Sequence, residues 1–276
     1  MKNIFVLILT IGMMAGTLHA QSTYIRFGLG GGIGLKQFEW ADVNSTTNSY
    51  NVEVKSMGLG GGVNANLAFG YMLSDNFGIE LGVNEFIGLA RKIHRSRTTT
   101  NMTETEDWKT SGMMLQIVPA IIITPNLEKI NPYARLGMII GILPSIITKY
   151  ERTTTNGGES LQATEREDYK SKDYGGIAAG FTAAGGASFD LGEKLVFFAE
   201  LVFNGITYSP SKGKYKTWTI DGVDQLPNAT TRDKEWEYVK KFDANENIPE
   251  GSPDKYAKMS VNFSNVELNI GIKLKL

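Results

Sequence analysis

Residues 266–276 read Val266-Glu267-Leu268-Asn269-Ile270-Gly271-Ile272-Lys273-Leu274-Lys275-Leu276 and alternate without a break. Every even position is apolar; the odd positions hold Glu, Asn, Gly and Lys. Side chains of a strand point to opposite faces with period two. The stretch is therefore a strand with one greasy face and one face of small, amide and isolated charged groups. The same rhythm recurs upstream. Phe77, Ile79, Leu81 and Val83 oppose Gly78, Glu80, Gly82 and Asn84, and Met57, Leu59, Val63, Ala65, Leu67 and Phe69 oppose Gly58, Gly60, Gly62, Asn64, Asn66 and Ala68. A soluble barrel turns its apolar face inward and its polar face to water. Here the second face carries too few charges for a water-exposed surface, so the apolar band is read as facing lipid. Closure of the sheet is then obligatory, because an unpaired edge in hydrocarbon costs several kcal/mol per group.

Working outward, the pattern predicts strands near 23–40, 53–72, 77–94, 109–124, 132–150, 173–190, 195–210 and 257–276. Short connections fall at 74–76, 125–131 and 191–194, and long polar ones at 41–52, 95–108, 151–172 and 211–256. An even strand number, with short turns at one end and long loops at the other, is the threading of an eight-stranded antiparallel up-and-down transmembrane β-barrel in a bacterial outer membrane. The two most apolar runs, Ser111–Leu127 and Leu136–Thr148, are Ile-rich and interrupted by Pro119, Pro125 and Pro144, which argues against spanning helices. Residues 1–20 read as a secretory signal: Lys2, an apolar run over Ile4–Met14, then Leu18-His19-Ala20 before a cut. The barrel domain is then 21–276.

Composition closes off other classes. There is no Cys, so disulfide scaffolds, Cys-ligated metals and thiol catalysis are excluded. A net charge of −1 argues against a nucleic-acid partner, and two His argue against a His-rich metal centre. No cofactor is expected. The repeat Gly28-Leu29-Gly30-Gly31-Gly32-Ile33 and Gly58-Leu59-Gly60-Gly61-Gly62-Val63 does not match a nucleotide-binding glycine loop. It reads as small residues inside a narrow barrel.

On this architecture the chain resembles the small eight-stranded "outer membrane protein beta-barrel", porin-like family of Bacteroidetes type. The resemblance rests on the signal, the eight alternating segments and the terminal strand Val266–Leu276 rather than on a motif. It implies residence in the outer membrane, with outer-membrane lipid, lipopolysaccharide and the barrel assembly machinery as partners. The chain ends in Leu276, where many such barrels carry an aromatic residue.

The polar face places Arg26, Glu80, Arg135, Glu200 and Lys273 in the lumen near the short-turn end, with Glu267 further out. Isolated buried charge is costly, so these groups are expected to pair across the lumen. One reading is an ionic plug that fills a barrel barely wide enough for side chains; the other is a charge-lined pore. The fourth and fifth strands are apolar on both faces, with Val118, Ala120, Ile122, Ile139, Leu143 and Ile147 expected inward, which keeps an apolar-solute channel in play. Trp40, Trp108 and Tyr150, and at the other end Tyr24, Tyr71, Phe77, Tyr133 and Phe189, are expected in interfacial girdles. Arg91, Lys92, Arg95 and Arg97 are expected to meet lipopolysaccharide phosphates. His94-Arg95-Ser96, with Glu104 and Glu106 after it, is the one trace of acyl-hydrolase chemistry. The chain is nonetheless read as a non-enzyme: a structural or surface-interaction barrel whose loops can hold an extracellular ligand. Val261 and Phe263 are out of phase with Val266, and a bulge near Ser264-Asn265 would repair the register.

Overall fold

The computed structural model describes residues 22–276 apart from 36–37, 47–48, 126, 128, 157–162 and 244–246. The expected signal segment, 1–20, lies outside the described residues, and so does the side chain of Trp40. In chain order the strands are β1 (Thr23–Gly34), β2 (Phe38–Ser45), β3 (Tyr50–Met57), β4 (Gly62–Met72), β5 (Phe77–Gly88) and β6 (Arg91–Thr99). Then come β7 (Met102–Ile123), β8 (Ile130–Asn156), β9 (Ala163–Tyr174), β10 (Ile177–Asp190), β11 (Leu195–Ser209) and β12 (Lys212–Ile220). The chain finishes with β13 (Val223–Asp224), a helical turn Thr231–Lys234, β14 (Glu235–Val239), β15 (Asp254–Ala257), β16 (Val261–Asn262) and β17 (Asn265–Lys275).

Eight of these close a ring. β1 pairs with β4, β4 with β5, β5 with β7, β7 with β8, β8 with β10, β10 with β11, β11 with β17, and β17 back to β1, all antiparallel. The fold is the expected all-β up-and-down barrel. Alternation decides the faces: Ile25, Phe27, Leu29, Leu67, Phe69, Ile79, Leu81, Leu268, Ile270 and Ile272 are exposed on the outside, and their polar and glycine neighbours are turned in. Tight backbone bonds finish the short-turn end, such as Leu73 N–H to Phe77 O and Leu191 N–H to Leu195 O, both 2.8 Å.

The long connections differ from expectation. Much of 41–52, 95–108, 151–172 and 211–256 is ordered strand: β7 and β8 run on far past the barrel, and β6, β9, β12 and β14 pair alongside them. Thr98, Thr99 and Thr153-Thr154-Thr155 are β-branched and favour extended backbone once neighbouring strands are available. A sheet thus rises from the long-loop end of the barrel, and the β2–β3 hairpin joins it through β6.

Two departures mark where barrel and extension join. The turn Gly58–Gly61 folds into the barrel mouth, so Leu59 is buried (4% exposed) instead of facing lipid. In β8 the partner switches from β10 to β9 after Gly141, and Leu143 sits at φ 51°, its side chain 81% exposed. The extra residue flips the parity: Ile139 points in before it, and Ile146, not Ile147, points in after it, while Leu143 points out. No L-residue with a branched side chain favours that φ. Leu143→Gly is therefore expected to unfold at or above the temperature of the parent. Leu143→Ile is expected to lose about 1–2 kcal/mol, read by the heat at which the folded gel band is lost.

Candidate functional site

The interior is built on a gutter in β1. Gly28 and Gly30 face inward between β4 and β17. A methyl on Gly28 would meet Asn66 Oδ1 at 2.7 Å and Asn269 Oδ1 at 2.8 Å, and one on Gly30 would meet Glu267 Oε1 at 3.0 Å. The missing side chains let β4 and β17 reach each other over β1: Asn66 Nδ2 donates to Asn269 Oδ1 at 3.1 Å, and Asn64 Nδ2 to Glu267 Oε1 at 3.4 Å. The first glycine run is thus explained by close approach, and the second, around Leu59, by an inward turn.

Below the amide layer four charges meet. Arg26, Glu80, Arg135 and Glu200 come from β1, β5, β8 and β11, every second strand of the ring, with alternating sign. Glu200, 1% exposed, accepts from Arg26 Nη1 at 2.9 Å, Arg135 Nη2 at 2.7 Å, Tyr133 Oη at 2.9 Å and Asn269 Nδ2 at 2.8 Å. Glu80 takes the Tyr24 hydroxyl at 2.8 Å and lies 3.5 Å from Arg26 Nε and 3.8 Å from Arg135 Nε. Charge-assisted bonds of this density repay desolvation that a lone charge could not. Tyr24 and Tyr133, expected in a lipid girdle, instead point inward as donors, while Tyr71, Phe77 and Phe189 lie on the outward parity.

The other two lumen charges are placed apart. Lys273 makes no ion pair among the described residues; its ammonium lies 4.3 Å from the ring centre of Tyr133 and 5.4 Å from that of Tyr24. It lines a cavity of about 180 Å³ at the short-turn end. Glu267 sits above the cluster with Asn64.

Nearer the long-loop end the interior turns apolar. Leu59, Phe86, Met114, Val118, Ile139, Ile146, Ala178, Ile206, Tyr208, Val261 and Phe263 pack as one cluster. Phe263 is its centre, edge-on to Phe86 at 6.0 Å and to Tyr208 at 5.9 Å. No bulge is found near Ser264-Asn265: β16 and β17 keep one register against β11, and Val261 and Phe263 share the inward parity of Asn265 and Glu267, so the apolar residues change face because the lumen they fill at this height is apolar. The misfit in alternation was the available signal.

The extension carries a row of rings on its inner face. Trp108 lies 5.0 Å from Tyr150, Tyr150 stacks on Tyr169 at 4.6 Å, and Tyr215 continues the row at 4.9 Å. Trp108 and Tyr150 are therefore packing residues of the extension rather than lipid-facing girdle. Beside them Trp236 Nε1 and Tyr238 Oη both donate to Asp173 Oδ1, at 3.0 and 2.8 Å. Burial pushes the Asp173 carboxyl above its ordinary range, against those two hydrogen bonds.

The basic group near residue 94 divides between two faces. Arg91 Nε donates to Gly58 O at 3.3 Å, and Arg95 lies over Trp108 at 5.2 Å, so both face inward. Arg97 shares their parity, and Lys92 takes the outward face. His94 Nδ1 meets Asp107 Oδ1 at 3.0 Å on that outward face, with Ser96 two residues along. Glu104 and Glu106, the acids expected to orient His94, are on the opposite face, and Glu106 accepts from Tyr150 Oη at 2.7 Å.

Comparison with known proteins agrees with this build. The profile described as "Outer membrane protein beta-barrel domain" matches residues 5–221. The chain belongs to that family. Its place is the cell outer membrane. Among solved structures, this family member is similar to the outer membrane protein OprG of Pseudomonas aeruginosa, at 14% identity and TM-score 0.39, covering 93% of this chain and 96% of that one. It is also similar to Ail, the attachment invasion locus protein of Yersinia pestis, at 7% identity and TM-score 0.31, covering 93% and 97%. No curated protein matches.

Two outcomes follow for this family barrel. Glu200→Ala leaves two buried guanidiniums without their shared acceptor and is expected to cost about 3–5 kcal/mol, measured by denaturant unfolding in micelles. At Asp173 the raised folded value means that its contribution is fully present below the unfolded carboxylate range and is lost as pH rises through the raised value. Protease nicking of the extension is expected to increase over that window in the parent. In Asp173→Asn, which still accepts both bonds, nicking is expected to be flat with pH.

Proposed function

We propose that this outer-membrane barrel is a closed structural and surface-interaction protein, holding a rigid sheet above the membrane over a charge-plugged lumen. One observation carries the reading: Glu200 gathers donors from β1, β8 and β17 across the whole interior. The apolar layer around Phe263 supports it, since an ion would have to pass both a neutralised charge cluster and an apolar plug. Eight strands leave an interior that side chains can fill. Lipid, lipopolysaccharide and the assembly machinery are the partners this reading implies, and the extension is its surface for an extracellular ligand. No catalytic role is assigned.

A second reading, passage of an apolar solute through the wall, has one observation in its favour. The β7–β8 ladder runs from Ile117 with Ile140 to Ala120 with Gly137, leaving a gap at Pro119, which has no N–H. Behind that gap, however, Val118 and Ile139 are packed into the apolar layer.

The test is conductance of the folded, purified mature barrel in a planar bilayer at two salt concentrations. The parent is expected to be silent, and a Glu200→Ala, Phe263→Ala double variant to give steps that scale with salt. Steady salt-proportional steps from the parent would overturn the closed reading.

A further inference from the structure

Four lysines stand directly opposite one another on four adjacent strands. Lys92 of β6 faces Lys109 of β7, Lys109 faces Lys149 of β8, and Lys149 faces Lys170 of β9. One step nearer the membrane, Lys172 of β9 faces Lys214 of β12. Alternation along β7 is unbroken from Met113, exposed on the lipid side, so Lys109 and the residues opposed to it are on the outward face. Trp108, Tyr150 and Tyr169 occupy the inward face of the same strands.

Like charges directly opposed across strands are unfavourable. Local acids do little to relieve this row. Among the described residues Lys109 reaches a carboxylate only at the limit, Glu151 Oε1 at 4.0 Å, and Lys92, Lys149, Lys170 and Lys172 form no ion pair. Of the acids one step further from the membrane, Asp107 meets His94 at 3.0 Å, Asp168 meets Arg166 at 2.9 Å, and Glu151 lies 4.0 Å from both Arg166 and Lys109. Apart from that 4.0 Å contact of Lys109, the lysines are open to an anion from outside the chain.

The height of the row indicates what that anion is. The outward residue just below Lys149 is Ile147; below Lys109 come Ser111 and Met113; below Lys92 comes Leu89, 61% exposed. The lysines begin where the apolar band ends, which is the headgroup layer of the outer leaflet. Strand spacing sets the lysine backbones about 5 Å apart along the row, an array whose side chains can converge on a headgroup bearing more than one phosphate. Basic side chains at a membrane surface gain from anionic lipid and lose that gain with salt.

We propose that the row Lys92, Lys109, Lys149 and Lys170, with Lys172 and Lys214, binds the phosphates of an outer-leaflet glycolipid. The inference rests on the outer-membrane placement and deepens the lipid-contact reading. It moves the site from Arg91, Arg95 and Arg97, which share the inward parity, to lysines on the outward face.

The experiment uses the folded full-length mature barrel in zwitterionic micelles. It is titrated with bis-phosphorylated lipid A, with the same lipid dephosphorylated, and with inorganic polyphosphate, and the unfolding midpoint is read. The parent is expected to be stabilised by the phosphorylated lipid alone, less so at high salt. Lys109→Gln, Lys149→Gln, Lys170→Gln together are expected to abolish that gain, with Lys149→Gln alone reducing it and Arg97→Gln leaving it intact. In lipid-free micelles the triple variant is expected to melt at or above the parent, because the repulsion is gone. An equal gain from dephosphorylated lipid, a gain retained in the triple variant, or an equal gain from polyphosphate would each overturn the proposal. A conducting parent would instead strike the closed-lumen reading and leave this one standing.

Discussion

Hydrocarbon offers a backbone amide no partner, so every N–H and C=O at membrane depth must be satisfied by another strand. That constraint closes β17 onto β1 and forces an interior of fixed, small diameter. With eight strands there is room for side chains and little else. The remaining features are solutions to filling that space. Where β1 would crowd the axis it has Gly28 and Gly30, and Asn66, Asn269, Asn64 and Glu267 reach across it.

The filling is layered, and the layers have different physics. At the short-turn end, alternating charges from every second strand meet on Glu200 and Glu80, with two tyrosine hydroxyls completing the bonds. At the long-loop end the turn with Leu59 folds inward, Phe263 points in from the wall, and apolar packing seals the mouth. The charge cluster at the short-turn end is tolerable because its members neutralise one another; the apolar layer needs no such matching. Lys273 and Glu267 stand outside the cluster, one held by aromatic faces and the other by an amide.

Above the membrane a different economy applies, because water is available again. The sheet continues past the barrel, stiffened by the aromatic row on its inner face and anchored where Trp236 and Tyr238 meet Asp173. Its outer face is sorted by height, lysines next to the lipid and acids beyond them. Inner and outer faces of the same strands thus do separate jobs: ring packing within, charge presentation without.

Alternation along the chain was enough to determine the barrel, the strand count, the lipid band and the inward direction of Arg26, Glu80, Arg135, Glu200, Glu267 and Lys273, because period-two patterning is a local property of extended backbone. What it could not determine was anything that depends on register or on a break in register. That Arg26 meets Glu200, 174 positions along the chain, is fixed by strand pairing around the ring. Leu143 at φ 51° flips a parity that no residue type announces, so Ile146 replaced Ile147 inside. Tyr24 and Tyr133 share the inward parity of Arg26 and Arg135 two residues along, so alternation already carried their direction, and pairing supplied the carboxylates that their hydroxyls meet. Lys92, Lys109, Lys149 and Lys170 are scattered along the sequence and become a row only when four strands lie side by side, since alignment across a sheet is decided by tertiary pairing and never by one strand alone.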